Sequence, residues 1–172
     1  MAATLTTKPE NDAAKTADRS GKYLTFQVGA EEFGIRVQSV REILGVQEIT
    51  SVPQTPGYLK GVINLRGKVT PVVDLRLKFG LVETEYTQRT CIIVVQVAGT
   101  AAPRLIGIIV DGVAEVLNVA AADIEDTPDF GDGQAAAYLL GMAKIKDRIK
   151  ILLDIDLVLG AREVAGLEAV LA

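Results

Sequence analysis

Gly34-Ile35-Arg36-Val37-Gln38-Ser39-Val40-Arg41-Glu42-Ile43-Leu44 aligns without a gap on Gly107-Ile108-Ile109-Val110-Asp111-Gly112-Val113-Ala114-Glu115-Val116-Leu117, and Gly, Ile, Val, Val, Glu and Leu are identical at matched positions. The offset is 107 − 34 = 73. Further matches follow in the same order. Tyr58-Leu59-Lys60-Gly61 recurs as Tyr138-Leu139-Leu140-Gly141, an offset of 138 − 58 = 80, and Val72-Val73-Asp74-Leu75 recurs as Leu152-Leu153-Asp154-Ile155. Upstream, Phe26-Gln27-Val28 echoes Val95-Gln96-Val97. Ordered self-similarity of this kind marks a duplicated unit. The units run over 21–79 and 90–157, and the second carries its extra residues in loops, at 98–104 and 130–137.

Each unit reads as short strands. In the first, Tyr23 to Val28 and Phe33 to Val37 flank a turn at Gly29-Ala30-Glu31-Glu32. Gln38 to Leu44 is predicted to form one or two helical turns, with Val40, Ile43 and Leu44 on one face. Pro53 and Pro56 mark a loop. Gly61 to Leu65 and Lys68 to Leu75 then make a hairpin about Arg66-Gly67, in which Pro71 predicts an edge strand or a bulge. In the second unit, Cys91 to Val97, Leu105 to Val110, Leu139 to Lys146 and Ile149 to Ile155 are the clearest strands.

Closely spaced strands, with Gly and Pro between them and no long crossover helix, argue for small barrels. The expected fold is mainly β: two small closed barrels, one per unit, around a shared apolar core. A unit of this size is marginal alone, so the two need a common interface, and that interface leaves a groove between them. Domain limits of 21–160 follow. Residues 1–20 lack an apolar signal region and read as a disordered tail; Leu157, Val164, Leu167 and Leu171 predict a C-terminal helix, with 161–172 as its end or tail.

Composition removes several functions. Histidine is absent, which rules out Ser-His-Asp and Cys-His triads and phosphohistidine on this chain. Zinc would need carboxylates almost alone, a poor fit, and no cofactor motif is present. The single cysteine, Cys91, opens an apolar run and is expected to be a buried strand residue. Lys and Arg total 18 against 22 Asp and Glu, with no basic block, so nucleic acid is not an expected partner. No apolar stretch is long enough for a membrane-spanning helix. Asp74 and Asp111 are the carboxylates that an aspartic dyad would use. They fall at non-equivalent positions of the repeat, opposite Asp154 and Gln38, and neither half has an Asp-Thr/Ser-Gly turn. They are expected to bond local backbone.

Differences between the units point elsewhere. Asn64-Leu65-Arg66-Gly67 becomes Lys144-Ile145-Lys146-Asp147 in the second unit. Arg66, beside Gly67 in a tight turn, is expected to project from the surface, either as a solvated turn residue or as a bidentate donor to a partner carboxylate. Glu42 and Glu115 are equivalent. Gly61, Gly107 and Gly141 either satisfy backbone constraints or allow a partner to come close.

Gly61-Val62-Ile63-Asn64-Leu65-Arg66-Gly67 followed by Val72-Val73-Asp74-Leu75-Arg76 resembles the signature of the CheW family. So do Glu32-Phe33-Gly34-Ile35, Val40-Arg41-Glu42-Ile43 and Ile109-Val110-Asp111-Gly112-Val113. The resemblance implies two five-stranded, SH3-like barrels. It also implies an adaptor that bridges the helical-hairpin tip of chemoreceptors and the regulatory domain of the histidine kinase CheA, with other CheW-like domains as ring partners. Such a protein is expected in the cytoplasm, at receptor arrays on the inner membrane, touching membrane only through receptors. By alignment, Arg66 matches the arginine that matters for receptor and kinase coupling, with Asn64, Leu65 and Gly67 in its hairpin. Val40 and Glu42 match positions linked to receptor or kinase contact, and Gly61, Gly107 and Val116 match positions where changes disturb receptor coupling. Two other readings stand beside this one: a small barrel enzyme using Asp74 and Asp111, and a CheW-like scaffold in pilus motility or development.

Overall fold

A computed structural model describes residues 19–82, 85–98, 102–126 and 138–159. The first half contains β1 (Gly21–Val28), β2 (Glu31–Arg36), a 3-10 turn (Val37–Ser39), β3 (Val40–Gly45), β4 (Leu59–Leu65), β5 (Lys68–Asp74) and the short helix α1 (Leu75–Lys78). The second half contains β6 (Cys91–Val97), β7 (Arg104–Val110), β8 (Gly112–Val119), a 3-10 turn (Ala121–Asp123), β9 (Ile124–Glu125), β10 (Leu139–Ile145), β11 (Arg148–Leu153) and α2 (Ile155–Val158). The tail before residue 19 and the expected C-terminal helix beyond 159 lie outside the described residues.

The strands form two mixed sheets, ordered β8-β1-β2-β11-β10-β9 and β3-β6-β7-β5-β4. The mainly β, two-sheet architecture is as expected from sequence, but the assignment of one barrel to each unit is not. Each sheet takes its first hairpin from one unit and its remaining strands from the other. The joins are parallel: β11 pairs β2 through Ile151↔Phe33 and Leu152↔Gly34, and β5 pairs β7 through Val72↔Gly107, Val73↔Ile108 and Asp74↔Ile109. The repeat offsets carry the first sheet onto the second strand for strand. Even β9, which pairs Glu125 with Met142, has a vestige in the isolated bridge Thr50↔Val62.

The apolar periodicity sorts residues into three cores. Along β6, Ile93, Val95 and Val97 enter a core shared by both sheets, together with Leu24, Phe26 and Ile35. The alternate residues Ile92 and Val94 face the other way, into a cluster with Ile63, Leu65, Val72, Ile109 and the partly buried Leu44. That second cluster draws on all five strands of its sheet, and only a strongly curled sheet can bring both its end strands to one cluster. A third cluster, with Tyr23, Leu117, Ile124, Ala143 and Leu152, curls the other sheet in the same way. Both faces of β6 are therefore buried, which is why its sequence is a continuous apolar run. Cys91 is a buried strand residue, as expected, and burial raises its thiol pKa.

Two local expectations are corrected. Gln38 to Leu44 is not helical: three residues of 3-10 turn lead into β3, where Val40, Glu42 and Leu44 are partly buried while Arg41 and Ile43 are exposed. A β-bulge after Val40 resets the alternation: Val40 and Ile43 stand opposite Val95 and Ile93 on the shared-core side, while Glu42 and Leu44 stand opposite Val94 and Ile92 on the other. Pro71 is not in an edge strand, since β5 lies between β4 and β7. It escapes a missing ladder bond because the parallel pairing to β7 begins one residue later, at Val72, and the bulge lies in its partner β4, between Leu59 and Gly61.

At that bulge Gly61 has φ +146°, and a Cβ there would stand 2.0 Å from the Thr50 carbonyl oxygen. Gly61→Ala is expected to cost about 3 kcal/mol or more, since the backbone strain and the overlap each contribute on the order of 1–3 kcal/mol. A melting temperature lowered by roughly 6–12 °C would register it.

Candidate functional site

The β4–β5 hairpin turns through Arg66 and Gly67, with φ values of +51° and +85°. Positive φ at both central residues is the primed-turn geometry that matches strand twist. Asn64 Oδ1 accepts the Gly67 N–H at 2.7 Å and closes the turn. Held this way, the Arg66 side chain projects from the tip, 71 % exposed.

It does not project freely. Its guanidinium forks onto Glu42 of β3: NH1 donates to Oε2 at 3.1 Å and NH2 donates to Oε1. β3 and β4 are the two end strands of their sheet, so this pair is a clasp across the closure of the curl. The hydrogen bonds from Arg66 hold the Glu42 carboxyl below its usual range, and the same contacts raise Arg66. A depressed carboxyl pKa means the clasp is intact above the ordinary value and is lost as pH falls through the lowered one. In Arg66→Gln, the Glu42 carboxyl is expected to titrate at higher pH than in the parent chain, followed by NMR.

The candidate residues do not form one patch. Arg66, Asn64, Gly67 and Glu42 meet at the clasp. Val40 lies on the same strand as Glu42 but packs partly against the shared core. Leu65 is buried inside its sheet. Gly61 sits at the far end of β4, against Thr50. Gly107 is buried in β7, where a Cβ would meet Ile92 Cγ2 at 2.8 Å and Val72 Cγ2 at 3.4 Å, so the neighbours of both glycines are internal. Val116 belongs to the other sheet, on β8, and is 55 % exposed.

Sequence reasoning missed the apolar residues around the clasp. Ile43 and Val69 are exposed, and so are their repeat counterparts Val116 and Ile149. These positions are apolar in both units although they face solvent. A groove of about 370 Å³ lies beside the hairpin, lined by Glu48, Thr50, Val62, Asn64 and Val69 among others.

Asp74 and Asp111 do meet, through Arg76. The Arg76 side chain is 1 % exposed and bonds Asp74 through NH2–Oδ2 at 2.9 Å and Nε–Oδ1 at 3.1 Å. Its NH1 reaches Asp111 Oδ1 at 3.2 Å, and the ring of Tyr86 lies 5.4 Å from the guanidinium carbon. Asp74 also caps α1 by accepting the Arg76 N–H, as a strand-end aspartate is expected to. Asp111, by contrast, bonds distant backbone: its Oδ2 accepts the Gly29 N–H at 2.7 Å. A second internal pair, Lys150 with Glu32, ties β11 to β2. Among the described residues, no group of three or more His, Cys, Asp or Glu is placed to hold a metal ion, and no helix is long and apolar enough to cross a membrane.

Two curled sheets around a common core, with exposed apolar residues and a basic hairpin tip, define a protein-docking β module. The family described as CheW-like domain matches residues 22–163. The chain is 39 % identical to the chemotaxis protein CheW of Klebsiella aerogenes, covering 84 % of each chain. It is 38 % identical to that of Rhizobium meliloti, over 88 % of this chain and 96 % of the other. It superposes on the crystal structure of the scaffolding protein TtCheW from Thermoanaerobacter tengcongensis with TM-score 0.73 and 30 % identity, covering 84 % of this chain and 95 % of that one. The chain belongs to the CheW-like domain family.

Proposed function

We propose that this chain is a chemotaxis adaptor that couples methyl-accepting receptors to the histidine kinase CheA by docking to both. The observation that carries the reading is the match, across the whole two-sheet domain, to relatives named chemotaxis protein CheW. The mechanism is associative: holding two partners together raises the effective concentration of each for the other. The chain itself makes and breaks no bonds. Its carboxylates at 74 and 111 are taken up by Arg76 and serve the fold.

The Arg66 tip is the docking element on the receptor side. Its guanidinium faces solvent on one flank while Glu42 fixes its direction, which preorganises it for a partner carboxylate. Val69 and the adjacent groove, lined by Val62 and Ile63 together with Glu48, Thr50 and Asn64, give a mixed apolar and polar surface for a helix of the receptor hairpin. Val40, Gly61 and Gly107 act through the shape of this sheet, whereas Val116 offers a surface on the other. The protein works in the cytoplasm at receptor arrays and reaches the inner membrane only through receptors; other CheW-like domains are further partners.

A kinase assay tests this. Receptor-containing membranes with CheA are expected to gain phosphorylation on adding the chain, by about tenfold or more, and no gain would reject the adaptor reading. A second reading, a scaffold of the same family in pilus motility or development, is supported by 31 % identity to the protein FrzA of Myxococcus xanthus, a relative not named for chemotaxis. Kinase stimulation with a non-chemotactic receptor set alone would favour it.

A further inference from the structure

The chain crosses between its sheets at two repeat-equivalent places, and the two are built differently. From β2 to β3 it passes through the three-residue 3-10 turn Val37–Ser39. From β7 to β8 it bends at the single residue Asp111.

Asp111 is tied on every side. Its N–H donates to the Gln27 carbonyl at 2.8 Å, its Oδ1 takes Arg76, and its Oδ2 takes the Gly29 N–H. Arg76 is anchored in turn on Asp74, itself fully buried. One connected set of charged groups therefore links β5 in one sheet to the β1–β2 turn in the other.

The repeat gives the comparison. Position 156 corresponds to Arg76, Ala98 to Gly29 and Gln38 to Asp111. There the exposed Asp156 accepts the Ala98 N–H at 3.0 Å directly, and an aspartate occupies the place of the bridging guanidinium. The first crossover is held by Arg41, which donates to the Gln38 carbonyl at 2.9 Å and to Gln96 Oε1 at 3.0 Å, both on the exposed surface.

We propose that the crossover at Asp111 is a fixed pivot and the crossover at Val37–Ser39 a looser hinge, so that the two sheets shift relative to each other about the Arg76–Asp111 contact. The shared core keeps the displacement small, since packed interiors resist deformation. A small rotation is nevertheless enough for a partner seated on one sheet to bias the surface of the other, through differential contacts with the two orientations. The pivot belongs to the fold itself and does not depend on which partners bind.

Two amides read the two locks in the unmodified chain. After correction for intrinsic rates, Gly29 N–H is expected to exchange at least about tenfold more slowly than Ala98 N–H by NMR. Equal protection, or the reverse order, would overturn the proposal. Asp111→Asn supplies the second test. Asp111 uses both oxygens as acceptors, and an amide has only one, so either the Arg76 or the Gly29 bond is lost. Spin labels at Val69→Cys and Ile149→Cys, exposed sites on opposite sheets, then report the sheet-to-sheet distance. The distribution is expected to be about twofold or more broader in Asp111→Asn and unchanged in Asp156→Asn. An unchanged width in Asp111→Asn, or equal broadening in both, would overturn the pivot.

Discussion

Arg66→Glu is expected to leave the chain folded, with a melting temperature near that of the parent, and to weaken binding of a receptor-tip fragment by about tenfold or more. Stability changes little because the Arg66–Glu42 pair lies on the surface, where such pairs contribute little. Binding suffers for two reasons. The substitution removes a planar, bidentate donor, and it places a second carboxylate beside Glu42 at the docking tip. Arg66→Lys is expected to fall between the two, keeping the charge and losing the fork. Isothermal titration against the receptor fragment checks the series. A tip variant that bound as well as the parent would remove Arg66 from the interface.

The second large effect is on stability. Arg76→Ala is expected to destabilise the domain by about 3–5 kcal/mol, measured by urea unfolding, because removing one member of a buried pair leaves its partner uncompensated. Asp74 is fully buried and Arg76 nearly so, so water cannot replace the lost bonds without opening the fold. Total stabilities of domains run to about 5–15 kcal/mol, so this one change removes a large part. Arg76→Lys is expected to recover only part of it, since one ammonium cannot reproduce both bonds to Asp74. The double variant Arg76→Met with Asp74→Leu is expected to be less damaging than Arg76→Ala, because no unpaired charge remains at position 74.

Much of the fold was legible in the repeat. Matched blocks in order revealed the duplication, and the strand limits at β6 and β7 follow from apolar runs between turns. Strand exchange between the units was hidden. Self-similarity states which segments are equivalent, but not whether a segment pairs within its own unit or with the other. Nothing local encodes the parallel joins of β2 to β11 or β5 to β7. The misreading of Gln38 to Leu44 has a related cause. Val40, Ile43 and Leu44 mimic helical spacing because a β-bulge after Val40 breaks the strict alternation and because Ile43 is apolar although exposed.

The site was partly legible for similar reasons. A basic residue before glycine in a two-residue turn marks Arg66, and the repeat marks Glu42. Their pairing was not visible, because it depends on the curl that brings β3 to β4. Arg76 is the largest omission. A charged side chain in a strand-end motif is ordinarily placed at the surface, and only the convergence of β5, the Asp111 bend and the β1–β2 turn encloses it.

An adaptor must hold two partners at once, at separate surfaces of one chain. Analytical ultracentrifugation of the chain mixed with a receptor-tip fragment and the regulatory domain of CheA addresses that directly. A three-component species, formed only when the chain is present, is the expected result. Two mutually exclusive binary complexes, or no complex with either partner, would contradict it.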